Sequence, residues 1–120
     1  MVAAARLDTR LAAGRAAFNR GEFFAAHELW EDVWRDLVGD ERALAQGLIQ
    51  IAAGLHHLQR GRPRPAARLL ARGANKLSRA PATATTLPIP ALLRDVTRLR
   101  AALDTPGGDA PAADPGAIRF

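Results

Sequence analysis

The stretch FNRGEFFAAHEL, residues 18–29, returns at an offset of 40 residues as LQRGRPRPAARL, residues 58–69. Arg20 matches Arg60, Gly21 matches Gly61, Ala26 matches Ala66, and Leu29 matches Leu69. Each copy reads as the end of one helix, an Arg-Gly turn, and the start of the next. Glycine closes a helix in the left-handed conformation at little cost. Pro63 suits the first turn of the helix that follows. Two such units are the grammar of stacked helical hairpins, as in tetratricopeptide-type arrays. The period here is longer than that repeat's, and its full pattern is missing. The fold expected is all-α, with about five helices: two packed αα-hairpins plus a C-terminal helix.

Working outward, the first helix is expected over 3–19 and the second over 22–37. The second carries an apolar stripe of Phe23, Ala26, Trp30, Val33 and Leu37, with Trp34 at its edge. Asp40 is a good N-cap for a third helix over 41–60, and a fourth runs over 63–79. Residues 80–90, APATATTLPIP, hold three prolines and cannot be helical throughout. A fifth helix is expected over 90–103. The domain is therefore residues 1–103, and 104–120 reads as a flexible or loosely docked tail.

The chain of 120 residues suits one domain, and 48% hydrophobic residues suffice for a core. With 5% aromatics, that core must be built mainly from Leu, Ala, Ile and Val. The absence of cysteine excludes disulfides and thiolate metal sites and fits a cytoplasmic protein. Arg6, Asp8, Arg10 and Arg15 break the N-terminus, so no signal peptide is expected. The charge-free stretch 43–59 is short for a membrane span and carries three glutamines and two histidines. No membrane association is expected.

The unusual chemistry lies in AHELWEDVW, residues 26–34, where imidazole and carboxylate sit among tryptophans. On a helical wheel His27 lies about 60° from Trp30, and Glu31 about 40° beyond His27. Both border the buried face, while Glu28 points further out. On the third helix Gln46, Gln50 and His57 fall within about 40° of one another. Ala53 lies on nearly the same line and Gly47 and Gly54 flank it, giving a polar stripe with a small-residue gap. An antiparallel pairing of helices 2 and 3 would face the two polar rows across one cleft. Unpaired buried amides and imidazoles cost about 1–3 kcal/mol each, so such a row needs partners.

Three readings compete for this cleft. It is a register-fixing hydrogen-bond network, a pocket for a small polar ligand or a partner's side chain, or a metal or hydrolytic site. For a metal, His27 and Glu31 have i, i+4 spacing and His57 is the candidate third ligand. The second histidine of H-E-x-x-H is absent, however, since position 31 is Glu. For catalysis, His27 or His57 would be a general base oriented by Glu31, but no serine or cysteine nucleophile is near. The residues expected to line the site are His27, Glu28, Glu31, Trp34, Gln46, Gln50 and His57. No cofactor is expected; a divalent metal belongs to the alternative of a metal-dependent hydrolase-like enzyme. His56 points about 100° from His57 and is given little functional weight. Trp30 and Trp34 read as core before recognition platform.

Charge is unevenly placed. Residues 22–41 hold seven acids against one base, and residues 60–79 hold seven bases and no acid. On helix 4, Arg64, Arg68, Arg72, Lys76 and Arg79 form one basic stripe, with Ala66, Leu69, Leu70, Gly73, Ala74 and Leu77 opposite. Phosphate or nucleic-acid binding is the weak reading of this stripe, because no aromatic interleaves with it. The chain has no tyrosine either.

Taken together, FNRGEFFAAHELWEDVW, LAQGLIQIAAGLHHLQRG and AARLL resemble the family known as domain of unknown function 309, over about residues 14–78. The resemblance implies a compact all-α domain of about five helices. The family's signature residues correspond to His27, Glu28, Glu31, Trp34, Gln46, Gly47, Gln50, His57 and Gly61. It implies no reaction. The chain departs from the family's pattern in the turn after Arg60-Gly61, where Arg62 and Pro65 replace Asn and Gly. The function expected is a non-enzymatic binding or scaffold domain whose partner is a small polar ligand or a protein; oligomerisation is left open.

Overall fold

A computed structural model describes residues 2–104 and 115–120. Five helices follow in order: α1 (Val2–Asn19), α2 (Phe23–Trp34), α3 (Gly39–Gln59), α4 (Pro63–Arg79) and α5 (Ile89–Asp104). A short 3-10 turn, Pro115–Ala117, comes last, and no strand occurs among the described residues. The all-α reading stands, with α1/α2 and α3/α4 as the two hairpins and α5 packed on α4. No helix among the described residues is long and apolar enough to cross a membrane.

The two Arg-Gly turns are the same object. Gly21 and Gly61 have φ of 79° and 72°. The Glu22 N–H reaches back to the Ala17 carbonyl at 3.0 Å, and the Gly21 N–H to Phe18 at 2.9 Å. At the second turn the Arg62 N–H reaches His57 at 2.9 Å, and the Gly61 N–H reaches Leu58 at 3.0 Å. Both are Schellman motifs, which satisfy the carbonyls left over at a helix C-terminus. The Gln59 side-chain amide then donates to the Gly21 carbonyl at 2.9 Å, tying one turn to the other.

Two boundaries differ from expectation. α2 stops at Trp34, and the N–H groups of Asp36 and Leu37 bond three residues back, to Val33 and Trp34. The chain thus tightens into a last turn before Gly39, whose φ is +61°. α3 begins at Gly39 with extended Val38 as its N-cap, and no side chain caps it. Asp40 is therefore inside the first turn, where it favours the helix through the macrodipole instead.

α3 is the central helix, with Leu44, Leu48, Ile51 and Leu55 all fully buried. Its two glycines face α4 and not the polar stripe, which corrects the small-residue gap read from the sequence. A Cβ at Gly47 would lie 2.9 Å from the Leu77 side chain, and one at Gly54 3.0 Å from Leu70. From the other side, a Cβ at Gly73 would lie 2.8 Å from the Gly47 carbonyl oxygen. The two helix backbones meet here, and only the absence of side chains permits it.

α1 is joined to α2 through Trp30. The indole is fully buried, and its N–H donates to the Leu11 carbonyl at 3.0 Å. A Cβ at Gly14 would fall inside the ring. Phe18 and Phe120 lie beside it, and Phe23 packs edge-on against Phe18. Of the segment 104–120, residues 105–114 lie outside the described residues. Ile118 and Phe120 are buried. The Phe120 N–H donates to Asn19 Oδ1 at 2.9 Å, and the Arg15 guanidinium donates to the Phe120 main-chain oxygen. At the other end of α1, Asp8 accepts hydrogen bonds from the hydroxyls of Thr85 and Thr86 and from the Thr86 N–H. This pins the proline-rich connection between α4 and α5.

Burial acts to raise the Asp8 carboxyl pKa, but the Thr85 and Thr86 hydrogen bonds and the charge of Arg15 outweigh it and hold it below the ordinary 3.8. A depressed carboxyl contributes stability that is present above its unfolded value and lost as pH falls through the folded one. The Asp8→Asn variant should therefore be less stable than the parent at pH 6. The difference should shrink below about pH 4 in urea melts run across that range. Gly73→Ala should cost about 1–3 kcal/mol by the same measurement, as over-packing in a well-packed core does.

Candidate functional site

α2 and α3 run antiparallel, so the N-terminal half of α2 faces the C-terminal half of α3. There, Phe24, His27, Ala53, His56 and His57 line a cavity of ≈ 120 Å³, with room for a group of a few heavy atoms. Phe24 stacks on His27, ring centroids 5.8 Å apart and planes 23° from parallel, and lies 5.1 Å from the His56 ring. Phe24 is itself 51% exposed, so an aromatic ring stands at the cavity's edge in contact with solvent.

His27 is hydrogen-bonded to Glu31 across one turn of α2. The i, i+4 spacing puts them on one face of α2, and Nε2 lies 2.6 Å from the Glu31 carboxylate. A carboxylate accepts only, so Nε2 carries a hydrogen. In the neutral imidazole Nδ1 is then the lone-pair nitrogen. That nitrogen is buried and has no hydrogen-bond partner. The same is true of His57 Nδ1, Gln50 Oε1 and Trp34 Nε1. All four orphaned atoms belong to α2 and α3.

The residues singled out from the sequence divide accordingly. His27 and His57 come together at one cavity, and Glu31 orients His27. Gln46 and Gln50 are half-buried and do not line that cavity. They lie about 16 and 10 Å further along α3 from His57 at 1.5 Å per residue. Trp34 is half-buried beneath the Arg42 guanidinium, 3.9 Å from its ring centroid. Glu28 is exposed and has no ion-pair partner among the described residues. No three His, Asp or Glu side chains gather as a metal-holding group among the described residues, so His27, Glu31 and His57 do not form the three-ligand set considered for a metal.

Two cavity residues were missed. His56 was set aside because it stands a quarter-turn from His57, yet both reach the cavity because it opens near the end of α3. Burial chiefly, then the charges of Arg60, His57, His27 and Arg62, push the His56 pKa below the ordinary 6.5. Phe24 lies outside the apolar stripe of α2. Its i, i+3 spacing to His27 was the available signal.

On α4, Arg64, Arg68, Arg72 and Arg79 are exposed and Lys76 is half-buried. None has an acidic partner among the described residues.

The sequence is similar to known proteins over part of its length. An "Uncharacterized protein" of Aquifex aeolicus (strain VF5) is 36% identical over 55 residues. That match covers 45% of this chain but only 16% of the relative, so the chain spans a small part of that protein's length. No solved structure matches the chain. Residues 11–69 match the family model described as Domain of unknown function (DUF309). That span, just under half of the chain, holds α2, α3 and both Arg-Gly turns with His27, Glu31, Gln50 and His57, and over it the chain matches the DUF309 family.

Proposed function

We propose that the chain is a non-enzymatic binding domain, acting in the cytoplasm, whose site is the α2/α3 face around His27 and His57. The observation that carries this reading is the set of four buried polar atoms without partners on two facing helices. Native interiors leave few such atoms unsatisfied, and each one asks for an explanation. Gln50 Oε1 accepts only, and Nδ1 of neutral His27 accepts as well. The Trp34 N–H donates only, and His57 Nδ1 does either according to tautomer. A ligand group rich in donors, such as an amide, a guanidinium or an ammonium, complements the acceptors best.

A hydrolase-like use of His27 as a general base draws on the same 2.6 Å contact with Glu31. It stands second because no serine, threonine, cysteine or lysine lines the cavity. Its metal-dependent form has no assembled ligand set among the described residues.

The test is a titration of the intact chain with acetamide, guanidinium and ammonium, read on the imidazole resonances. At least one probe should shift His27 and His57 together, and a His57→Leu variant should lose the effect. If no probe moves either ring, the reading fails. Stability supplies an independent check. An orphaned buried acceptor costs about 1–3 kcal/mol, so the nearly isosteric Gln50→Met should leave Tm unchanged or raise it. A register-fixing network would instead be weakened by that change.

The His56 shift has a definite sign. A histidine with a depressed folded pKa binds more protons unfolded, so stability falls as pH drops through the unfolded value near 6.5. Tm should decline from pH 7.5 to 5.5, and His56→Gln should flatten that decline in a calorimetric pH series.

A further inference from the structure

From Arg42 through Arg94, both included, the sequence has nine Lys and Arg residues and no acidic one. The fold gathers most of these on one side. The α4 stripe faces solvent, and α5 packed beside it adds Arg94, Arg98 and Arg100. An open groove of ≈ 430 Å³ runs between the two helices, with Ala71 and Ala74 among its lining residues. Asn75, Ser78, Thr97 and Arg100 line it too, and offer amide, hydroxyl and guanidinium groups. A second depression of ≈ 360 Å³ adjoins at Thr97 and is lined by Arg94 and Arg98. On the α4 wheel, Arg68, Arg72 and Arg79 all fall within about 60° of groove-lining Asn75. The stripe is therefore one bank of the groove, over about 16 Å of helix, and the α5 arginines are the other.

We propose that this α4–α5 face binds the phosphate backbone of a nucleic acid. None of its cations has an ion-pair partner among the described residues, and Asp95 is the one acid set among the α5 arginines, whereas the acidic side of the molecule is partly neutralised within the chain. Asp36 pairs with Arg10, Glu22 with Arg20, and Asp32 with Arg35. That asymmetry favours an external polyanion over a second copy of the chain. Arginine outnumbers lysine on both banks, and its planar fork matches phosphate oxygens bidentately. A membrane surface fits less well, because interfacial helices insert apolar side chains beside their basic ones. Among the described residues the exposed large apolar ones are Phe24, Leu29 and Val38, none of them on α4 or α5. An acidic protein would likewise find little apolar anchor there, since Leu93, the one leucine lining both depressions, is half-buried. Protein–nucleic acid interfaces, by contrast, are polar, wet and strongly positive. No aromatic residue stands on either bank, so the contact is with the backbone and carries no base preference.

Any strongly basic chain binds polyanions weakly, so the test must separate placement from net charge. Fluorescence anisotropy of a labelled 20-base-pair duplex would be followed with the full chain from about 50 to 200 mM salt. Engagement of about five phosphates predicts a slope of log K against log salt near −4.5. The double variant Arg72→Glu, Arg98→Glu should bind about tenfold or more weaker, with a slope shallower by about 2. Arg20→Glu with Arg35→Glu makes the same change in net charge on the opposite side. It should stay within about threefold of the parent, since exposed ion pairs contribute little. All of these side chains are exposed, and circular dichroism confirms that each variant is folded. Equal losses in both double variants overturn the proposal. So does the absence of duplex binding at the lowest salt, or binding to anionic phospholipid vesicles in preference to the duplex.

Discussion

Everything about the α2 helix depends on where one indole can go. Trp30 is the largest side chain in the core, and its N–H must be satisfied where water does not reach. Gly14 offers a bare strip of α1 backbone, and the Leu11 carbonyl accepts the hydrogen bond. With the ring seated there, the rotation of α2 about its axis is set. His27, three residues earlier, must then fall at the edge of the buried face, against the end of α3. A β-carbon on Gly14 would deny the ring its seat and turn His27 and Glu31 away from their positions. The packing of a hydrophobic side chain thus places the polar ones.

Much of the architecture was legible because it rests on local rules. The Arg-Gly turns repeat in sequence, and they repeat in hydrogen bonds, since a Schellman closure involves only six consecutive residues. The apolar stripe of α2 marked the face that packs into the core, with Phe23, Ala26 and Trp30 all buried. The candidate site was less legible, for a reason the glycines make plain. A helical wheel gives the angle between Gly47 and Gln50 but not which neighbour each will meet. α4 took the glycine face of α3, because only there could two backbones close to contact. The polar row was left to α2. The reach of His56 and Phe24 into the cavity is likewise a matter of where α3 ends, which no wheel contains. Asp40 had the right chemistry for a cap, but the helix starts at Gly39, two residues before the expected 41, and takes Asp40 into its first turn.

The molecule divides its chemistry by side. The α2/α3 face holds orphaned hydrogen-bonding atoms, two of them on histidines that line a small cavity edged by an aromatic ring. The α4/α5 face holds, along an open groove, cations that have no ion-pair partner among the described residues. α3 separates them, and its glycine contacts with α4 make the separation rigid. Interiors at this packing density transmit strain and do not absorb it. Gln59, whose amide holds the Gly21 carbonyl, ties the turn before α2 to the turn before α4.

The pattern of contacts also carries a consequence for how the chain reaches this state. The extensive helix pairings join successive elements: α1 with α2, α2 with α3, α3 with α4, α4 with α5. Chains dominated by such local contacts fold fast, because little loop entropy is lost before contacts form. Two clasps break the pattern, and both end on α1. Asp8 holds Thr85 and Thr86 across the length of three helices, and Arg15 with Asn19 holds Phe120. These closures span 77 to 105 residues, so they carry the largest loop penalty and belong late in the folding order. α1 is thus both the first helix in sequence and the lock that is set last.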